Sequence, residues 1–133
     1  MADRVFLDAN VLFSAAYRSN AGLARLWNLP GVLLLSSEYA IREAQINLNS
    51  AEQHKRMLEL KQSLEVVGEV PAGVVLPADI LLPKKDRPIL LAAIHSGASH
   101  LLTGDINDFG PLFGRIVAGV MILRPSEYLR KPG

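Results

Sequence analysis

Cysteine is absent from the 133 residues, which excludes disulfides, thiolate zinc sites and cysteine nucleophiles. An excess of either charge is also missing: the formal net charge is +1, so a polyanion would have to meet a local patch and not a global field. No apolar run reaches membrane-spanning length, and the N-terminus lacks a basic-then-apolar secretory pattern. A soluble cytoplasmic protein that makes no membrane contact is expected. Repeats, low-complexity segments and dividing linkers are lacking too, so residues 1–133 are expected to form a single domain large enough to bury a core. Half of the residues are hydrophobic, a globular and not a disordered composition.

The most informative stretch is 84–109, KKDRPILLAAIHSGASHLLTGDINDF. Asp86, with Pro88 two residues on, resembles a helix start. Ile89, Leu90, Ala92, Ala93 and Ile94 make a broad apolar face at helical spacing, and Gly97 is a natural stop. The run His100-Leu101-Leu102-Thr103 then predicts a strand buried on both faces, as inside a parallel sheet. Gly104-Asp105 ends it. A second such run, Arg4-Val5-Phe6-Leu7, also ends in an acid, Asp8. Ligands of open α/β sheets bind outside the carboxyl ends of the strands, so two strands that each deliver an Asp to that edge suggest a metal site.

Elsewhere the pattern predicts a helix from a cap at Asn10 to about Tyr17, a short helix over 21–28 and a strand over 32–35. A helix capped by Ser36 or Ser37 follows, with Glu38 in its first turn, and Ser50 starts another that runs to about Leu64. Residues 65–85 read as one short strand with irregular connections. A turn or short helix follows Asp105 as far as Phe109. Gly119–Leu123 is a final strand, and Pro125–Arg130 a terminal helical turn. Strands alternating with helices imply an α/β sandwich of three layers around a central, mostly parallel sheet.

Four blocks carry a resemblance to a known family. They are Phe6-Leu7-Asp8-Ala9-Asn10-Val11-Leu12, Ser37 to Glu43, Lys85-Asp86 through Thr103-Gly104-Asp105, and Gly119 to Leu123 with Pro125 and Tyr128-Leu129. In order and placement the chain resembles the PIN domain family of metal-dependent ribonucleases, over nearly its whole length and least over 50–80. The resemblance implies a PIN-like fold with metal-binding, catalytic acids at Asp8, Glu43, Asp86 and Asp105. It implies support from Asn10 and the Thr103 hydroxyl, with Asp108 in the place of a further acid. Chain length is similar to the VapC-like toxin ribonucleases of type II toxin–antitoxin systems. That implies an RNA substrate, a separate small antitoxin protein as partner, and a homodimer.

Physical chemistry agrees with that picture. Crowded carboxylates hold protons at raised pKa or recruit a cation, and hard oxygen ligands favour Mg²⁺ or Mn²⁺ over zinc. Such an ion would supply an activated water for hydrolysis of an RNA phosphodiester. Lys84, Lys85 and Arg87 flank Asp86 and are candidate RNA-binding phosphate contacts, against the plainer reading of a solvated face. Arg18, Arg42 and Arg115 are weaker candidates. His54, His95 and His100 do not converge at ligand spacing, and Trp27 and Tyr17 read as core or dimer-interface residues. Two alternatives stand beside the nuclease. One is a non-catalytic PIN-like scaffold or binding module. The other is a haloacid dehalogenase-like phosphatase, whose first motif would need an acid where Asn10 stands.

Overall fold

A computed structural model describes residues 2–130. The first strand, β1 (Asp3–Leu7), is followed by α1 (Ala9–Tyr17), a 3-10 segment (Gly22–Asn28), β2 (Val32–Ser37), α2 (Glu38–Asn47), α3 (Ala51–Lys61) and β3 (Glu65–Val67). After irregular turns come α4 (Arg87–His95), β4 (His100–Leu102), α5 (Ile106–Phe109), a 3-10 turn (Gly110–Leu112), β5 (Ile116–Val117), β6 (Val120–Leu123) and α6 (Pro125–Leu129). The strands form one sheet in the order β3-β2-β1-β4-β6-β5. All neighbours are parallel except the β5–β6 pair.

That order places the site. The chain moves outward from β1 to β2 to β3, then returns past β1 to begin the other half at β4. Strand order therefore reverses between β1 and β4, the position at which open α/β sheets leave a crevice at their carboxyl ends. Right-handed crossovers send the helices of the two halves to opposite faces. In keeping with this, α1 packs on α2 and α3, while α4 lies against β2 and β4, the two neighbours of β1. The core is apolar and continuous: Val5, Phe6, Leu7, Leu35, Leu101, Leu102 and Ile122 from the strands meet Leu12, Ile41, Met57 and Leu90 from the helices.

Local chemistry explains most boundaries. Ser50 and Gln53 form a reciprocal capping box at the start of α3. Ser37 caps α2 by accepting from the Ala40 amide. Gly97, at φ 71°, ends α4. Trp27, half-buried, donates its indole N–H to the Leu60 carbonyl and so ties the 3-10 segment to α3. Tyr17 is exposed and packs against Phe13 with the rings tilted by 43°.

Several sequence expectations need correction. The cap of α1 is Asp8 and not Asn10: the Asp8 carboxylate accepts from the Ala9 amide at 2.7 Å, and Asn10 lies inside the first turn. Asp86 precedes α4 but makes no capping hydrogen bond, because its carboxylate is engaged elsewhere. The expected strand over 32–35 continues to Ser37, the buried Ser36 hydroxyl donating to the Leu7 carbonyl. The segment 21–28 is 3-10 and not α. Strand β5 was not foreseen. It forms a hairpin with β6 through Ala118 and Gly119, both at positive φ (48° and 89°), the twist that two-residue hairpins require.

Candidate metal centre

The crevice between β1 and β4 is built around a hydroxyl. Thr103, fully buried at the end of β4, donates to Asp8 Oδ2 at 2.8 Å and accepts from the Asp105 amide at 3.1 Å. Asn10 spans the same gap: its amide nitrogen lies 3.2 Å from both Asp8 Oδ2 and Thr103 Oγ1, and its oxygen accepts from the Gly104 amide at 2.7 Å. A side chain at Gly104 would press on that oxygen, since an added Cβ would lie 3.3 Å from it. The two strand ends are thus joined by a closed polar network, and among the described residues no buried side-chain polar atom lacks a hydrogen-bond partner. Asn10 and Thr103, expected to support the site, hydrogen-bond to Asp8 and to each other here.

The tightest acidic group lies beside this network. Asp86, Asp105 and Asp108 each offer a carboxylate oxygen, and these oxygens all lie within 4.8 Å of one another. Asp105 is fixed by capping α5, its Oδ1 accepting from the Asp108 amide. Asp86 arrives from the other side at the head of α4, buried at 7% exposure. Asp108, inferred as a further acid, is therefore a member of the group.

Asp8 and Glu43 belong to an adjoining cleft of about 430 Å³, lined also by Asn10, Phe13 and Asn47. The two acids are electrostatically linked to each other, and Asp8 to Asp105. Of the acids expected at the site, Asp86, Asp105 and Asp108 thus form a tight triad, and Asp8 and Glu43 an adjoining pair.

Protonation follows from crowding. Burial pushes Asp86 up to about 6, helped by Asp108 and opposed by Lys85. Asp108 moves the other way, held down chiefly by the Lys85 ammonium and then by Asp86. Burial also raises Asp8, with a smaller contribution from the Asp105 charge, while the bonds from Thr103 and Ala9 hold it back. Glu43 is raised by burial and by Asp8. These are carboxylates that gain from a cation.

Lys85 supplies a cation of its own. Its ammonium lies 2.8 Å from Asp108 Oδ2 and 3.1 Å from Asp86 Oδ2. Lys84, on the same loop, and Arg87, the first residue of α4, are exposed, Arg87 bonding the Leu82 carbonyl through Nε. Tyr39 went unrecognised in the sequence. Its hydroxyl donates to the Lys85 carbonyl at 2.8 Å and pins the loop to α2; no local pattern signals such a bond across 46 residues. Of the remaining basic candidates, Arg115 pairs with Asp79, and Arg18 and Arg42 are exposed. The histidines do not join the acids. His54 bonds the Leu48 carbonyl, and His100 is buried beside Ser99 and Tyr128.

The donor set fits a hard divalent cation: all-oxygen, anionic, partly buried and already holding an ammonium. No protein-family model matches the sequence, and no curated protein matches it. Among solved structures the fold is similar to one in the crystal structure of VapBC2 from Rickettsia felis bound to a DNA fragment from their promoter. The likeness covers 91% of this chain and 98% of that chain, with a TM-score of 0.67 and 14% sequence identity. At that identity it is a likeness of fold. The PIN-like α/β architecture with a mostly parallel central sheet, expected from the sequence, is the architecture observed.

Proposed function

We propose that residues 1–133 form a single PIN domain that acts as a metal-dependent endoribonuclease of the VapC-like kind. The observation that supports this best is the meeting of Asp86, Asp105 and Asp108 within 4.8 Å at the point where strand order reverses. In this reading the three carboxylates hold Mg²⁺ or Mn²⁺. Asp8 and Glu43 contribute from the adjoining cleft, directly or through water. When bound, the ion supplies an activated water and neutralises charge on the phosphoryl oxygens of RNA. The protein's own work is positional. Thr103 and Asn10 hold Asp8 and the Asp105 loop at a fixed separation, and Asp105 caps the short helix that carries Asp108. Lys85 borders the triad, and Lys84 and Arg87, its neighbours in sequence, would add cations for an RNA backbone.

The fold neighbour was crystallised as VapBC2 on promoter DNA. By that analogy this chain would be the toxin of a cytoplasmic pair, restrained by a small antitoxin protein and dimeric. Among the described residues no helix is long and apolar enough to cross a membrane.

Incubation of the purified protein with assorted RNAs tests the reading. Cleavage is expected with Mg²⁺ or Mn²⁺, and loss of cleavage with EDTA or in Asp105→Asn. Asp105 is a better choice than Asp8 because its substitution leaves the Asp8–Thr103–Asn10 network in place. Cleavage that ignores both chelation and that substitution would overturn the proposal. Hydrolysis of p-nitrophenyl phosphate is expected to be absent. The phosphatase alternative needs an acid at position 10, and Asn10 is instead committed to Asp8, Thr103 and Gly104.

A further inference from the structure

Lys85 is bound to the triad in an unusual way. Its ammonium contacts both Asp86 oxygens, at 3.4 and 3.1 Å, and Asp108 Oδ2 at 2.8 Å. The rest of the side chain is largely in water, with 64% of it exposed. Its backbone does not share that freedom, because Tyr39 fixes the Lys85 carbonyl. The residue is therefore a solvent-exposed side chain on an anchored backbone, and its charged tip stands where the oxygens of Asp86 and Asp108 converge.

An ammonium and a divalent ion cannot share those oxygens. Lysine offers a single charge and three hydrogen-bond donors, whereas Mg²⁺ binds carboxylate oxygen at about 2.0–2.1 Å with twice the charge. With the ion in place, the ammonium would lie only a few ångströms from a doubly charged cation of its own sign. That repulsion exceeds what an exposed ion pair returns. We infer that Lys85 is a tethered competitor for the divalent cation: its ammonium fills the Asp86–Asp108 side of the triad in the metal-free protein and is displaced into solvent when the ion binds. Lys85 is then a positioning residue that sets how much divalent cation the site needs. This inference rests on the metal-dependent reading of the site.

Calorimetric titration with Mn²⁺ tests it, using the wild type, Lys85→Met, Lys84→Met and Asp105→Asn. Lys84→Met makes the same change of net charge one residue away, without an ion pair to the triad. Lys85→Met is expected to bind Mn²⁺ about tenfold more tightly than the wild type, and Lys84→Met to stay within about twofold of it. In EDTA, Lys85→Met is expected to melt below the wild type, with Asp86 and Asp108 left facing each other, and to gain more on Mn²⁺ addition. If the wild type binds Mn²⁺ and Lys85→Met binds no more tightly, or Lys84→Met tightens equally, the competitor role is overturned while the metal site stands. Should none of the proteins bind Mn²⁺, the competitor role and the metal-dependent reading both fall.

Discussion

Both oxygens of Asp8 accept hydrogen bonds from the protein: Oδ1 from the Ala9 amide, Oδ2 from Thr103 and Asn10. Among the described residues Asp86 receives none from the backbone; its carboxyl is held by the side chains of Lys85 and Asp108, while burial and Asp108 push it up to about 6. Replacing either acid by its amide is expected to reduce RNA cleavage by about a hundredfold or more. The effects on stability should oppose one another. Asp8→Asn turns an NH₂ group toward donors and is expected to destabilise by about 1–3 kcal/mol. Asp86→Asn removes a poorly solvated charge and is expected to stabilise the metal-free protein by about 1–2 kcal/mol at pH 7. Urea unfolding in EDTA measures both.

The sign of the pH effect follows from the same residue. The folded state holds the Asp86 proton up to about 6, whereas the unfolded chain releases it near 3.8. Across that window the folded state binds more protons, so this group's contribution to stability falls as pH rises and stays low above 6. The advantage of Asp86→Asn over the wild type is therefore expected to be near zero at pH 4 and to reach its full size by pH 7. An advantage that is flat across this range would contradict the assignment.

At the scale of elements, the β5–β6 hairpin stores an avoidable strain. Ala118 adopts φ 48°, a conformation that a Cβ disfavours. Ala118→Gly is expected to raise stability by about 1 kcal/mol, read as an increase in the urea midpoint with unchanged Mn²⁺ affinity. The same hairpin shows where the sequence ceased to be informative. Hairpin turns announce themselves through Asn-Gly or Asp-Gly, and here the turn is Ala-Gly between strands of only two and four residues. Elements with strong local chemistry were legible: β1 and β4 as unbroken apolar runs, α3 from Ser50, the end of α4 from Gly97. The acids at the strand ends were legible for the same reason. What escaped was set by tertiary contact. Asp8 could not be distinguished from Asn10 as the cap of α1, because both are good caps and only the Thr103 network decides between them. The capture of Lys85 by Asp108, 23 residues away, left no local trace.

For the molecule as a whole, the sheet gathers charge of one sign at one edge and pays for it in metal-free stability. A divalent ion that binds only the folded state returns that energy by mass action, about 2.7 kcal/mol at a hundred times its Kd. Because Asp86 must lose its proton to serve as a ligand, the rise in melting temperature on Mn²⁺ addition is expected to be larger at pH 7.5 than at pH 5. Equal rises at the two values would argue against Asp86 as a ligand.

Asp8 begins α1 and also closes the network that spaces the two strand ends, so architecture and the proposed chemistry depend on the same side chain. Asp86 carries no such double duty. If the chain is the nuclease proposed, a descendant that abandoned cleavage and kept only a binding role would gain by discarding the acid at position 86, yet would unpick its own first helix by discarding the one at position 8. Retired relatives of this chain are accordingly expected to bear a neutral residue at 86 beside an intact aspartate at 8.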